Sequence, residues 1–343
     1  MLQRRYLYPT NAATGLFAIP AGLRRFSMDV GFNEGHVLVG NWLRWKPDTF
    51  GIGIEANPYL HALFDVITTE SPWPKGFEGY YWTAANTSAV ARARAFRAAS
   101  ARGQLLLVHA AVTTSTKRAI PFNIGFGWRR DGNVVPDVGS LYNFADPSKK
   151  RAQQSTHVAT LRLDDILAHV PPPPSGVAAR TTRSNQNKNN TLIWDTLKID
   201  VQGADIEALE SAGQYLERFH CVIGEFTARH YEIAGIHGGQ KALAADMLTR
   251  SGFVRAYATI KNQLWLNRRY RARFADPKRH DFTCITGGFA GGSDAKPDEY
   301  FNRWYRLPFW AKTARTMIEE SEACRAKKDE CPPGVAAGES QRW

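Results

Sequence analysis

From Gly79 to Arg130 the chain carries not one Asp or Glu, yet it holds eight basic residues: Arg92, Arg94, Arg97, Arg102, Lys117, Arg118, Arg129 and Arg130. An acid-free basic segment suits a nucleic-acid or acidic-glycan partner, and equally a solvated helix face with loops; both readings stay open. Long apolar runs are also lacking. No stretch approaches the roughly 20 residues a membrane helix needs, so no membrane span is expected. Residues 1–25 contain no continuous apolar core of a secretory signal, which makes a cytoplasmic setting the expectation. Cysteine is scarce, four in 343 residues, with no metal-ligand spacing. Cys221 sits in an apolar run and reads as inert core, while Cys324 and Cys331 stand either as a pair or as two thiols.

What is present is enough for a core. Hydrophobic residues make up 43% and tryptophans number ten, which excludes a disordered chain. The length allows one large domain with an appendage or two modest ones.

The stretch Ile193 to Leu209 organises the rest. An apolar run of strand type from Ile193 to Val201 meets Asp200 at its end, and a turn at Gly203 follows. Ile206 and Leu209 then recur at helical spacing until Gly213. Phe26 to Val30 reads as a first strand and Phe50 to Ile54 as a second. Between them Val37, Leu38, Trp42 and Trp45 are spaced for a helix, and Leu60, Leu63 and Phe64 suggest another. Ala89 to Ala101 is helical by propensity, and Leu105 to Val112 is a third strand. Pro121 to Arg162 breaks into short hairpin or loop runs, and Leu163 to Leu167 starts a brief helix. Residues 171–191 are a low-complexity surface loop. Phe219 to Gly224 is a fifth strand, and Lys241 to Thr249 a helix with Leu243 and Met247 on one face. Phe253–Ala258 and Gln263–Leu266 form a terminal antiparallel pair. The order βαβαβ, an irregular section, then βαβαββ predicts an α/β protein: a mostly parallel sheet with helices on both faces.

Open sheets of this kind bind ligands at the carboxyl ends of their strands. Three groups sit there. Asp29-x-Gly31-x-Asn33-x-Gly35 joins a strand to a helix, with Asn33 able to take the left-handed backbone of a missing glycine. Glu55 closes the second strand about twenty residues on, where a carboxylate can accept ribose hydroxyls. Asp200 and Glu225 end adjacent strands. They suit a divalent metal or general-base work on a hydroxyl, and Asp200 alternatively caps the next helix through the Gly203 and Ala204 N–H groups.

These residues resemble the FkbM-type S-adenosylmethionine-dependent methyltransferases. The resemblance rests on Met28 to Gly35, Ile54 to Pro58, Ala110 to Val112, Thr160 to Leu167, Leu197 to Leu209, Ile223 to Phe226 and Leu248 to Phe253, in that order. It spans about Arg25 to Asn267. It implies a Rossmann-like class I fold with a seven-stranded sheet and an antiparallel last strand. Residues 1–270 would form the methyltransferase domain and 271–343 a basic aromatic extension. It also implies S-adenosylmethionine as cofactor, with Asp29, Gly31, Phe32, Asn33 and Gly35 along its methionine and ribose, Glu55 on the ribose, and Ala56 and Ala111 beside it. Phe32 departs from the small residue usual there, and the 171–191 loop and the tail depart as well. Asp200 with Glu225 would deprotonate a hydroxyl directly or through a divalent metal. His230 is the next candidate base, or merely a loop histidine, and Lys198 would be a positive neighbour favouring the Asp200 carboxylate.

The acceptor is open between three classes. A hydroxyl on a sugar or small molecule is the first. A nucleic acid is the second, encouraged by the basic segment and by Arg268, Arg269, Arg271 and Arg273, but without a D-P-P-Y-like motif. A non-catalytic member that binds cofactor or a partner through its tail is the third.

Overall fold

A computed structural model describes residues 8–33, 38, 42–43, 46–58, 96–117, 119–128, 134–143, 153–173, 192–226, 240–258 and 263–270. The predicted helix after Leu60, the 174–191 part of the surface loop, Gly35, His230, most of the acid-free segment's arginines, Cys324, Cys331 and the tail beyond Tyr270 lie outside them.

Seven strands form the main sheet: β1 (Arg25–Val30), β2 (Thr49–Glu55), β3 (Leu105–His109), β9 (Ile193–Ile199), β10 (Cys221–Gly224), β11 (Phe253–Ala258) and β12 (Gln263–Asn267). Their order is β11-β12-β10-β9-β1-β2-β3. β3, β2, β1, β9 and β10 pair parallel, and β12 alone runs antiparallel to its two neighbours β10 and β11. The fold is therefore mixed α/β with a mostly parallel sheet.

Alternation along each strand builds two cores. Phe26, Met28 and Val30 of β1, Phe50, Ile52 and Ile54 of β2, Leu106 and Val108 of β3 and Val222 of β10 share one face. Cys221 and Ile223 of β10, Leu264 and Leu266 of β12 and Leu105 of β3 share the other, with Phe32, Leu38, Trp42 and Phe96 packed over them. Both faces being covered is why these strands read as continuous apolar runs. One bulge breaks the register. Phe26 faces Trp194 but Ser27 faces Thr196, so Asp195 is the extra residue. It lies fully buried against Arg25, whose Nη1 is 3.4 Å from Asp195 Oδ2. This slip puts Trp194 and Leu197 on one face although they are three residues apart.

Several expectations are corrected. The third strand is not continuous to Val112. It breaks at Ala110, and β4 (Ala111–Val112) leaves the sheet to pair with β8 (Thr160–Leu161). The irregular section is ordered: β5 (Ile120–Trp128) is the centre of an antiparallel sheet between β6 (Val134–Ser140) and β7 (Gln153–Val158). Helix α1 spans Leu163–Leu167, α2 Asp205–Ser211 and α3 Gln240–Arg250. On α3 the buried face is Gln240, Ala244, Ala245 and Leu248, while Leu243 is 45% exposed. Apolar content alone misplaced that face, because two alanines carry it. Cys221 is buried but is disulfide-bonded, so it is not an inert thiol. Among the described residues no helix is long and apolar enough to cross a membrane.

Candidate functional site

A cleft of about 610 Å³, counting its mouth, opens at the carboxyl ends of β1, β2 and β9. One wall is built by Gly31, Asn33, Glu55, Ala56 and Ala110 to Val112; the other by Asp200, Val201, Gln202 and Ala204, with Phe122, Gly139 and Leu141 as a roof. The roof is the β6-β5-β7 sheet. It docks through a small core of Ala111, Phe122, Ile124 and Val158, with Ala56 and Leu141 against it.

Each wall has a local cause. After β1, the Gly31 and Phe32 N–H groups both donate to the Ile54 carbonyl at 2.9 Å. Asn33 takes φ +49, the left-handed backbone expected of it. Glu55 is buried, and its carboxylate accepts the Asn33 and Asn57 N–H groups, each at 2.7 Å. Burial pushes the Glu55 carboxyl up to about 7, against those two hydrogen bonds.

Gly31 serves a purpose the sequence did not suggest. A Cβ there would lie 1.9 Å from the Asp200 carbonyl oxygen, so this glycine admits a neighbouring strand end, with φ +80 as a second requirement. The Asp200 N–H in turn donates to the Val30 carbonyl at 2.9 Å. The two walls are thus joined through backbone.

They are joined through charge as well. Lys198 donates to Asp29 Oδ1 at 2.9 Å and to the Gly31 carbonyl at 3.2 Å, and lies 3.9 Å from Asp200 Oδ2. Its first partner is therefore Asp29, not Asp200 as expected. Asp29 is fully buried, and burial pushes its carboxyl up against the Lys198 ammonium and a backbone hydrogen bond from Leu38. Burial opposes the Lys198 ammonium too, but the surrounding Asp29, Asp200 and Glu55 carboxylates outweigh it and hold it above its ordinary value.

The loop after β9 turns through Gln202 at φ +56 and Gly203 at φ +105. Asp200 does not cap α2. No side chain caps α2; the Asp205 carboxylate instead holds the preceding loop, accepting the Val201 N–H at 3.1 Å and the Gly203 N–H at 3.0 Å. Asp205 is buried and burial pushes it up to about 6. Gln240 Nε2 donates to the Gly203 carbonyl at 2.6 Å, and Ser140 Oγ to the Gln202 carbonyl at 2.7 Å. The Tyr142 hydroxyl donates to Glu207. A carboxylate five residues past Asp200, at the head of a helix, is the signal that could have identified Asp205.

Of the sequence candidates, Gly31, Asn33, Glu55, Ala56, Ala111 and Asp200 line one cleft. Three described candidates do not. Asp29 lies beneath it, paired to Lys198. The Phe32 ring is buried in the second core, where a Cβ on Gly53 would come within 2.6 Å of it. The large residue at 32 is thus matched by a glycine on β2. Glu225 follows β10, with its N–H on the Ile199 carbonyl at 3.3 Å, and is not among the lining residues. Among the described residues, no three His, Cys, Asp or Glu side chains are grouped to hold a metal ion.

A mostly parallel α/β sheet with an acid-lined cleft at its strand ends is the architecture of a small-ligand site at a sheet edge. The family model of the methyltransferase FkbM domain matches residues 131–263, so this part of the chain is similar to FkbM-type methyltransferases. The match takes in Asp200 and the roof strands β6 and β7, and stops short of the Gly31–Glu55 wall. No curated protein and no solved structure matches the chain.

Proposed function

We propose that the protein is an S-adenosylmethionine-dependent methyltransferase that methylates a hydroxyl of a sugar or other small molecule. The strand order, with only β12 reversed, supports a Rossmann-like class I fold for it. The observation that carries the reading is that Glu55 and Asp200 line one cleft at the carboxyl ends of the parallel strands. The cleft fits the cofactor in kind. Glu55 offers a buried carboxylate for ribose hydroxyls, Gly31 and Asn33 a tight backbone turn, and Ile54, Ala110 and Val112 an apolar surface for a base. When bound, S-adenosylmethionine supplies a methyl group on a positively charged sulfur.

The chain's own part is orientation and proton handling. Glu55, already fixed by two backbone donors, keeps a rigid acceptor in place. Asp200, on the wall under the roof, takes the proton of the acceptor hydroxyl as that oxygen becomes the nucleophile. The roof residues Phe122 and Leu141 exclude water and present an apolar face to the acceptor.

Calorimetry with S-adenosylhomocysteine tests the cofactor half. The wild type should bind and Glu55→Ala should lose at least about tenfold in affinity, as expected for a polar site robbed of its acceptor. Methyl transfer to pools of glycans and hydroxylated small molecules, beside an RNA pool, tests the acceptor. Product only in the RNA pool would replace the hydroxyl reading. Asp200→Asn should keep binding and abolish turnover.

A further inference from the structure

We propose that Gln202 is a positioning residue that fixes the Asp200 carboxylate; the claim rests on the role proposed for Asp200. Gln202 Nε2 donates to Asp200 Oδ1 at 2.6 Å. The opposite amide orientation would set oxygen against carboxylate, so donation is the consistent assignment. With Oδ1 engaged and Lys198 3.9 Å from Oδ2, outside hydrogen-bond range, Oδ2 is the oxygen left to meet a hydroxyl.

The backbone around Gln202 is built to hold that geometry. A non-glycine residue at φ +56 is uncommon and is retained where its surroundings over-determine it. Here they do so from three elements. Ser140 at the end of β6 holds the Gln202 carbonyl, Asp205 of α2 holds the N–H groups on either side, and Gln240 of α3 holds the Gly203 carbonyl. Three hydrogen-bonding side chains thus fix a loop whose only side chain on Asp200 is the Gln202 amide. Glycine would suit this backbone better. A larger polar residue tolerated there points to a use for the side chain. The charged groups about the pair are Lys198 of β9, Asp29 of β1, Glu55 of β2 and Asp205 of α2.

Gln202→Gly separates position from structure, because glycine relieves the left-handed backbone while removing the amide. Its melting temperature should hold or rise, and its S-adenosylhomocysteine affinity should stay within about twofold. The kcat should fall, on the order of 100-fold, with the KM for cofactor unchanged. Gln202→Glu places a second carboxylate against Asp200, so its activity should recover toward acid pH, where one proton bridges the two. Turnover of both variants within twofold of wild type, in a protein that binds the nucleoside, would overturn the proposal and leave the proposed function standing. The contact is also read without activity. In the nitrogen-labelled protein alone, the Gln202 side-chain amide resonance should move on Asp200→Ala. A resonance that stays put refutes the contact even if the wild type proves to bind no nucleoside.

Discussion

The two walls of the cleft are made in different ways. On the Gly31–Glu55 wall, the polar groups are satisfied by neighbouring backbone: Ile54 takes two N–H groups, and Glu55 takes those of Asn33 and Asn57. On the Asp200–Ala204 wall, side chains hold the loop: Ser140 and Gln240 from far along the chain, and Asp205 from the head of α2. The first wall is a rigid seat that changes little with its surroundings. The second is held from elements on several sides, which fixes its acid in place.

The largest disruption should come where the walls meet. Lys198→Met strands a buried Asp29 carboxylate and should cost about 3–5 kcal/mol in chemical denaturation, the penalty for breaking one side of a buried pair. Gly31→Ala drives a methyl group into the Asp200 carbonyl at a left-handed position, and should cost about 2–4 kcal/mol and abolish nucleoside binding. On the loop wall alone, Asp205→Ala leaves two N–H groups without their acceptor and should cost about 1–3 kcal/mol, with turnover falling more than cofactor affinity.

Each wall has a pH signature. Glu55, at about 7 when folded, and Asp205, at about 6, both lie above ordinary carboxylate values. The folded state therefore holds their protons more tightly than the unfolded one. Their contribution is full below about pH 4 and is lost as pH rises through 6 and 7. Melting temperatures of Glu55→Gln and wild type should accordingly diverge between pH 5 and 8, in favour of the variant at pH 8. Nucleoside binding should run the other way, weakening in the wild type as pH drops from 8 to 6 and Glu55 takes up its proton. The smallest effect is reserved for Leu243→Ala, within about 0.5 kcal/mol, against about 2–5 for Leu248→Ala on the buried face of α3.

Much of the seat was legible in the chain. Asp29-x-Gly31-x-Asn33 and Glu55 are local signals, because a parallel strand that ends in a turn writes its residues in sequence order. Phe32 was misread as a cofactor contact, since nothing local announces that Gly53, on the next strand, makes room for its ring. The roof read only as broken hairpins. Its polar and glycine-rich strands carry few apolar residues, and their partners lie across the chain. Lys198 looked like a neighbour of Asp200 by spacing alone; register against β1 gives it to Asp29 instead.

By itself the sequence determined the alternation of strands and helices, the acids at strand ends and the reversed last strand. Each follows from hydrophobic periodicity and turn chemistry over a few residues. Tertiary structure alone decided that Gly31 makes way for Asp200, that Lys198 pairs with Asp29 and that Ser140 and Gln240 hold the loop after Asp200. Those outcomes turn on distances between segments brought together only when the sheet closes, and no local pattern encodes them.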